Sequence, residues 1–471
     1  MPRPGPKVET IARKRARALL DPNSFVELDA LVSSRDGDAE GVVTGYGTVD
    51  ARPVYLFAQD PSVKAGALTA AHATKILKIL KLAKSCGAPV VGMCDSAGAR
   101  LEEGVLAMNA YAELFTQTAR MSGTVPMIGI VLGQCVGAGA VLPMLMDAVV
   151  ASEASAQWMT VGPGATAREL NVFPHDVQAS ELSGAAAHAK RGGVAILAKD
   201  ETEAFVKTRA LLALLPDNSL ESPIDEVVDD AELNRPLASV KADDPDAVTA
   251  SLLDAGSALP LYAQSASHVK TLLGRLGGRT IGVTAVNGKL CADCCRKAAR
   301  FIRLCDCFNI PIITLINSDG VTATMPDGQT DLIKAVAQLS YAMAEATVPK
   351  LSIITGKAIG AGYVAFGGRA SVDAAYAWPD AIICPITPEA AVAVFKKDEL
   401  ANAGGDSTAV KKALADEYAR NVADGLNAAR LGLLDDIIEP ADTRRILISA
   451  LELLQGKRDQ NPPKKHGNMP L

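Results

Sequence analysis

Two short glycine-rich turns contain the residues best suited to chemistry. Each follows a predicted apolar strand and opens a predicted helix, in GQCVGAGAVLP at 133–143 and in GKAIGAGYVAF at 356–366. The first N–H groups of a helix have no intrahelical partner, and small residues let a ligand approach them. Such amides, beside the positive end of a helix, stabilise a developing oxyanion. The catalytic candidates are therefore the backbone amides of Gly137, Ala138, Ala361 and Gly362.

A single turn of this kind has an alternative explanation, because small residues also let a helix pack closely on a sheet. The recurrence of the turn favours the chemical interpretation. Two oxyanion sites indicate two carbonyl-like groups that both gain negative charge. Examples are the enolate of a thioester and the oxygen of a carboxylated urea that loses CO₂. Carboxyl transfer between biotin and an acyl-CoA is a reaction that needs both.

The turns belong to a longer internal repeat. Segments 133–143 and 356–366 match at an offset of 223 residues. APVVGMCDSAGA at 88–99 matches IPIITLINSDGV at 310–321 at an offset of 222, and an amphipathic helix is predicted before each copy. Two matches in the same order at nearly equal offsets indicate two homologous halves.

The halves are predicted to be separate α/β domains. Each alternates apolar strands with helices, which is typical of layers built on buried parallel strands. We predict an N-terminal domain over residues 1–230 and a C-terminal domain over 231–471. The stretch 215–256, rich in Asp, Pro and Ser, is predicted to connect them. The polar, Pro-rich end from Gly456 is predicted to be an extended tail.

Charge and composition argue against several classes of protein. The net charge of −6 disfavours nucleic acid as a partner. Nine cysteines without framework spacing, and an N-terminus without an apolar signal segment, favour a reducing cytoplasm. The uncharged stretch 121–146 is long enough to span a bilayer, but its glycines and Pro143 favour a buried strand and a turn.

Several long motifs are similar to those of a known family. DSAGARLEEGV at 95–105 is similar to DSGGARIQEGV, GKAIGAGY at 356–363 to KAYGGAY, and YAWPDA at 376–381 to YAWP-x-A. These are motifs of the carboxyltransferase (β) subunits of biotin-dependent acyl-CoA carboxylases and decarboxylases, of the propionyl-CoA carboxylase type. The resemblance covers residues 19–471 and implies a tandem of two crotonase-like (ClpP/crotonase) ββα-superhelix domains.

The resemblance implies a carboxyltransferase that moves a carboxyl group between carboxybiotin and the α-carbon of a short acyl-CoA, of the propionyl- or acetyl-CoA type. Acyl-CoA is expected on the N-terminal domain, and biotin on the C-terminal domain of a partner subunit. No side-chain acid or base is expected to be essential, because backbone amides and exclusion of water carry the chemistry. The same component run in reverse serves a methylmalonyl-CoA-type decarboxylase, and the direction stays open.

The resemblance also implies binding residues and partners. Biotin is expected on a separate carrier protein, with a biotin carboxylase or a membrane decarboxylase subunit as a further partner, in a homo-hexamer. Val364 is expected to contact the acyl group, since relatives differ here with acyl chain length. The remaining residues are, on the acyl-CoA side, Asp95, Ser96, Ala97, Gly98, Ala99 and Arg100, and, on the biotin side, Gly360 and Tyr363.

Two stretches of the second half depart from the family pattern. NSDGVTATMPDG at 317–328 and ITPEAA at 386–391 replace family loops that flank the expected biotin and acyl pocket. A shortened region before the preceding helix carries KLCADCC at 289–295. The departures leave the identity of the acyl group open.

The C-x-x-C-C cluster at 291–295 suggests a metal, but a zinc site needs four ordered ligands. Small buried thiols are the favoured interpretation, and no metal is expected. Ser96 is not expected to be a nucleophile, because no G-x-S-x-G elbow surrounds it.

Charged residues raise three further questions. Helix-borne Lys75, Lys78, Lys297 and Arg300 are predicted to be solvated, with contacts to CoA phosphates as the alternative. The carboxylates of Glu102–Glu103 suggest a rival function, a crotonase-type hydratase, although hydratases lack the tandem half. A scaffold without activity is a third interpretation, which the intact small residues at both turns disfavour.

Overall fold

The computed structural model describes residues 9–33, 39–173, 178–402 and 407–470. The chain divides into two compact units, Met1–Ile224 and Asp225–Leu471. Each unit contains one eight-stranded, mostly parallel sheet with helices, so the predicted tandem of α/β domains is confirmed. The assignment of acyl-CoA to one domain and of biotin to the other stays a prediction.

The first unit alternates strands and helices as its repeat predicts. In chain order its described elements are α1 (Ile11–Leu19), β1 (Val26–Leu28), β2 (Val42–Val49), β3 (Arg52–Gln59), α2 (Ala70–Cys86), β4 (Val90–Ser96), α3 (Val105–Met121), β5 (Met127–Val136), β6 (Ala148–Ser152), β7 (Gln157–Met159), α4 (Pro163–Glu169), α5 (Ala179–Ser183), α6 (Ala185–Lys190), β8 (Ile196–Ala198) and α7 (Glu201–Ala213).

The second unit repeats this succession and adds helices near its end. Its described elements are α8 (Asp230–Leu233), α9 (Pro245–Leu252), β9 (Leu259–Leu261), β10 (Val269–Leu276), β11 (Arg279–Leu290), α10 (Ala292–Cys307), β12 (Ile312–Val321), α11 (Pro326–Glu345), β13 (Lys350–Ile359), α12 (Gly360–Val364), β14 (Ala374–Ala377), β15 (Ile382–Cys384), α13 (Pro388–Phe395), α14 (Lys397–Asn402), α15 (Ser407–Asn421), α16 (Gly425–Arg430), β16 (Asp436–Ile437) and α17 (Thr443–Leu453).

The two sheets share one topology. The first runs β1-β2-β3-β4-β5-β6-β8 with β7 paired to β5, and the second runs β9-β10-β11-β12-β13-β14-β16 with β15 paired to β13. In each sheet the first two pairings are antiparallel and the rest are parallel. The carboxyl ends of β4 and β5, and of β12 and β13, therefore meet at one edge of each sheet, where the predicted sites lie.

Helix α2 shows how local sequence defines the elements that pack against these strands. The Thr69 hydroxyl accepts a hydrogen bond from the N–H of His72 at 2.9 Å, which caps α2. The helix ends at Gly87, whose φ of 63° suits glycine. Apolar residues three and four positions apart, including Ile76 and Leu80, are buried in the core of the first unit.

Two predictions about the chain between and after the sheets need correction. Part of the predicted connection 215–256 forms α8 and α9, and Val248 and Leu252 are buried in the core of the second unit. The end of the chain is irregular, as predicted, but it is anchored: Lys457 pairs with Asp373 at 2.9 Å.

The predicted solvation of two lysines is wrong. Lys75 is 4% exposed and donates to the carbonyl of Val42 at 2.6 Å. Lys297 is 7% exposed and donates to the carbonyl of Ser265 at 2.8 Å. Burial lowers the pKa of both amines, to about 8 for Lys297. Each ammonium satisfies a backbone carbonyl inside its unit, which the helical pattern does not reveal.

The uncharged stretch 121–146 forms β5 and the short turns that follow it, as predicted. Across the described residues, no helix is long and apolar enough to cross a membrane.

Candidate active site

The two glycine turns have matching backbone geometry. After β5, Gly137 has a φ of 63° and begins a short 3₁₀ helix, Gly137–Ala140. After β13, Gly360 has a φ of 49° and begins α12. Positive φ favours glycine, so these two residues are structural equivalents. Ala138 therefore corresponds to Ala361. The two predicted pairs of amide donors, Gly137–Ala138 and Ala361–Gly362, are not equivalent, because the first pair begins one position earlier in its turn than the second.

The alanine of each turn is more accessible than the glycine after it. Ala361 is exposed and Ala138 is half-buried, whereas Gly139 and Gly362 are buried. A Cβ atom on Gly362 would lie 2.8 Å from the carbonyl oxygen of Gly320. The second glycine thus lets the turn sit on a neighbouring loop. The amides of the first helical turn lack intrahelical acceptors, and the alanine is the more accessible residue of each turn.

The supporting loops are also alike. In the first unit, the N–H of Gly98 donates to the Ser96 hydroxyl at 3.1 Å, and the φ of Gly98 is 101°. In the second unit, the N–H of Gly320 donates to the Ser318 hydroxyl at 3.3 Å, and the φ of Gly320 is 97°. Both serines are fully buried. Each hydroxyl holds the loop on which a turn rests.

A segment that sequence reasoning missed holds the first loop in place. The N–H of Ala97 donates to the carbonyl of Ala65 at 2.9 Å, and the N–H of Arg100 donates to that of Leu68 at 2.9 Å. The amide of Ala99 between them has no backbone acceptor among the described residues. Ala65 has a φ of 51°, which is rare for alanine and gave no signal in the sequence.

Asp95 is held beneath this loop. Its carboxylate accepts a hydrogen bond from the Arg15 guanidinium at 2.7 Å and from the N–H of Gln134 at 3.2 Å. Asp95 and Arg15 are each 7% exposed. A Cβ atom on Gly133 would lie 2.3 Å from the carboxylate, so the glycine makes room for it. The predicted contact of Asp95 with substrate stays a prediction.

The equivalent residue of the second unit is a neutral amide. The Asn317 side-chain oxygen accepts from the N–H of Lys357 at 2.9 Å. Its amide nitrogen donates to the Asn287 side chain at 2.9 Å and to the carbonyl of Ala242 at 3.2 Å. The same strand end is thus supported without a buried charge.

A buried polar cluster lies next to the first loop. Arg100 is 6% exposed, and its Nε and Nη2 atoms have no hydrogen-bond partner within the described ranges of the chain. Burial, together with Lys75 and Arg100, lowers the pKa of His72 to about 3. The imidazole of His72 is therefore neutral in the folded protein at neutral pH, between two buried cations.

The residues predicted to contact biotin and the acyl group differ in exposure. Position 360 needs glycine for a structural reason, because a Cβ atom there would lie 2.6 Å from the carbonyl oxygen of Pro385 in the same unit. Tyr363 is half-buried near Gly368, and burial raises the pKa of its hydroxyl. Val364 is 64% exposed at the end of α12 and is available for contacts.

A cavity of about 410 Å³ lies beside the first turn. Its lining is mostly apolar and includes Ala140, Met144 and Val161. The Trp158 indole donates to the carbonyl of Ala140 at 2.6 Å, so the cavity wall is tied to the turn. Sequence reasoning missed this cavity because its walls come from segments distant in the chain.

The structure also shows the surroundings of the cysteine cluster and of Glu103. Cys294 and Cys295 are buried, as predicted, whereas Cys291 is partly exposed. Within the described part of the chain, no group of three or more His, Cys, Asp or Glu residues is arranged to hold a metal ion. The Glu103 carboxylate accepts from the N–H of Ala70 at 2.7 Å, at the start of α2.

Solved structures share this duplicated architecture. The chain is similar to the transcarboxylase 12S hexamer core with methylmalonyl-CoA and methylmalonic acid bound, with a TM-score of 0.92 and 33% identity. The match covers 98% of this chain and 92% of that one. The fold is thus that of a two-domain carboxyltransferase.

Sequence comparisons define the family. Residues 5–469 match the carboxyl transferase domain. The chain is 36% identical to the methylmalonyl-CoA decarboxylase subunit alpha of Propionigenium modestum, covering 98% of this chain and 93% of that protein. It is also 36% identical to the propionyl-CoA carboxylase carboxyltransferase subunit of Haloferax mediterranei, covering 99% and 94%. The chain belongs to the carboxyl transferase family, and it is a carboxyltransferase component of a biotin-dependent system that acts on acyl-CoA.

Proposed function

We propose that the two turns are a pair of oxyanion sites, one for the thioester carbonyl of acyl-CoA and one for the ureido carbonyl of biotin. The observation that carries the proposal is the duplication of backbone geometry. Gly98 and Gly320 have φ values of 101° and 97°, and each supports a turn whose first glycine also has positive φ. Two amide sites built alike suit two carbonyl groups that gain negative charge in one reaction.

On the acyl-CoA side, the donors are the amide of Ala138 and, from the loop, the amide of Ala99, which has no backbone acceptor among the described residues. These amides hold the enolate oxygen that forms when the α-carbon becomes nucleophilic. The apolar cavity of about 410 Å³ beside the turn accepts the acyl group and excludes water. Short apolar acyl groups of the propionyl type fit such a lining.

On the biotin side, the donor is the amide of Ala361, with Gly362 behind it. Carboxybiotin, when bound, supplies the carboxyl group and a ureido nitrogen that can take the α-proton. The residues fit this group: Ala361 is exposed and small, so a planar ring can reach the amide. The chain contributes an amide donor for the ureido oxygen and positions the ring. Val364, exposed at the end of α12, is proposed to limit the acyl chain.

The partners follow from the same chemistry. We propose a separate biotin carrier protein, charged by a biotin carboxylase or discharged by a membrane decarboxylase subunit, and a homo-hexameric assembly like that named for transcarboxylase 12S. The relatives include both a carboxylase and a decarboxylase component, so carboxylation and decarboxylation are both candidate directions. The nine free cysteines suit the reducing cytoplasm.

The test removes one amide at a time. Ala138→Pro and Ala361→Pro each delete one N–H at the second residue of a helix, where proline is tolerated. Each change is expected to lower carboxyl transfer about a hundredfold, as removal of one oxyanion donor does. Ala138→Ser and Ala361→Ser keep the amide and serve as matched controls. Turnover is measured with free biotin and a panel of acyl-CoA and malonyl-type CoA esters.

Binding distinguishes the two turns. Ala138→Pro is expected to weaken acyl-CoA binding in calorimetry, and Ala361→Pro is expected to leave it nearly unchanged. Near-normal turnover in both folded proline variants would contradict the proposal. If one active site combines the turns of two copies, mixed oligomers of the two inactive variants should regain activity.

A further inference from the structure

The start of helix α10 brings two thiols together. Cys291 is the N-cap residue, and its sulfur accepts a hydrogen bond from the N–H of Cys294 at 3.2 Å. The Sγ atoms of Cys291 and Cys294 lie 2.8 Å apart. The spacing is C-x-x-C at a helix start, an arrangement that suits reversible thiol–disulfide chemistry.

The two thiols differ in accessibility. Cys291 is partly exposed, whereas Cys294 is 1% exposed. Burial, and next the hydrogen bond with Cys291, raise the pKa of the Cys294 thiol to about 12. A partly exposed cysteine and a buried cysteine whose sulfur is in contact with it are the two parts that disulfide exchange requires.

The fold itself does not require thiols here. Thr69 and His72 occupy the equivalent positions of α2, where the Thr69 hydroxyl caps the helix in the same way. A small acceptor at the N-cap is therefore sufficient to start the helix. The thiol pair at this helix start therefore goes beyond what the cap requires.

We propose that Cys291 and Cys294 form a thiol–disulfide exchange site that reacts with low-molecular-weight disulfides and closes into an intrachain disulfide. The thiolate of Cys291 attacks one sulfur of the disulfide and expels one thiolate, leaving a mixed disulfide on Cys291. The sulfur of Cys294, on losing its proton, attacks the Cys291 sulfur and expels the second thiolate. Two protein thiols and one disulfide thus become one protein disulfide and two small thiols.

The experiment uses the full chain, reduced, desalted and then incubated with excess glutathione disulfide. Acid quenching and alkylation with N-ethylmaleimide precede digestion with trypsin, which releases residues 290–296 with all three cysteines of the cluster. We expect this peptide to carry one alkyl group, on Cys295, and to have lost two hydrogens. Treatment with dithiothreitol before alkylation should give three alkyl groups.

Variants assign each step. Cys294→Ser should accumulate a glutathione adduct on Cys291, and Cys291→Ser should abolish reaction at Cys294. Serine at position 291 keeps a helix cap, so circular dichroism should be unchanged. Cys295→Ala should still form the disulfide, and the exposed Cys86 should hold a lasting glutathione adduct. A wild-type peptide with three alkyl groups, or with a lasting adduct on Cys291, would overturn the proposal.

Discussion

The two units build the same turn on different supports. In the first unit the strand end below the loop carries Asp95, which is ion-paired to the buried Arg15. In the second it carries Asn317, which bonds to Asn287 and to backbone groups. The loops above have nearly equal backbone angles and the same serine hydrogen bond. The backbone geometry is therefore the shared feature, and the side chains below it vary as long as their hydrogen bonds are satisfied.

The helix starts differ in a second way. Thr69 and His72 open α2, and Cys291 and Cys294 open α10. One turn later both helices carry a buried lysine that donates to a carbonyl of its own unit. Both helices share the capping geometry and the buried lysine. They differ in the side chain three residues after the cap, which is an imidazole in α2 (His72) and a thiol in α10 (Cys294). The two halves should consequently respond differently to mutation and to acid.

The largest expected effect on stability comes from replacing the side chains that lie below the two loops, Asp95 in the first unit and Asn317 in the second. Asp95→Asn should lower the free energy of unfolding by about 1.5–3 kcal/mol, because it weakens a charged hydrogen bond to the buried Arg15 guanidinium, which keeps its ion pair with Glu201. Asn317→Ala should lower it by only about 1–2 kcal/mol, because its hydrogen bonds are neutral. Urea unfolding of both variants measures the difference. Equal losses would show that the charge of the first support has no special weight.

A smaller effect should separate the second glycines of the two turns. Gly362→Ala should cost about 2 kcal/mol, because a Cβ atom would lie 2.2 Å from the Ser318 hydroxyl and 2.8 Å from the carbonyl oxygen of Gly320. Gly139→Ala should cost less, since the nearest neighbour of its Cβ atom would be the Tyr111 hydroxyl at 3.1 Å, a longer contact than either of those at Gly362. Thermal unfolding measures both. A larger loss for Gly139→Ala would contradict the comparison.

The smallest of the three effects is a response to acid. The pKa of His72 is lowered to about 3 in the folded protein, against an ordinary value of 6.5. The unfolded chain therefore binds more protons between these values, so stability is complete above pH 6.5 and is lost as pH falls. At pH 5.5 the loss is about 1.4 kcal/mol.

The control removes the titrating group. His72→Gln should flatten the dependence of the urea midpoint on pH between 7.5 and 5.5, whereas Cys294→Ser, at the equivalent position of the second unit, should leave it unchanged. The pKa of Cys294 is about 12, so its thiol does not titrate in this range. Equal slopes for wild type and His72→Gln would rule out His72 as the acid-sensitive group.

Much of the fold was predictable because its signals are local. Apolar runs marked β4, β5, β12 and β13, and the glycine spacing marked the turns that follow β5 and β13. The internal repeat predicted two α/β domains, and the similarity of motifs predicted the carboxyl transferase family. Each of these signals lies within a few neighbouring residues or in a direct comparison of two segments of the chain.

Other features depended on residues far apart in the chain. The lysine at position 75 can be buried because the carbonyl of Val42, 33 residues earlier, accepts a hydrogen bond from it. Asp95 is buried beside a guanidinium because Arg15, 80 residues away, donates a hydrogen bond to it. Neither partner can be inferred from a helical or strand pattern, since such patterns report exposure on one element and not the acceptor that another element provides.

The candidate site likewise combines features that are visible in the local sequence with features that depend on residues far apart in the chain. Small residues after a strand are readable in the sequence, and they were sufficient to name Gly137, Ala138, Ala361 and Gly362 as candidate amide donors. The register of the two turns, the cavity beside the first one and the loop segment at 64–68 came from the structure. The physical reason is that an amide becomes a binding group only when no other part of the fold supplies its acceptor, and that depends on which distant segments pack around it.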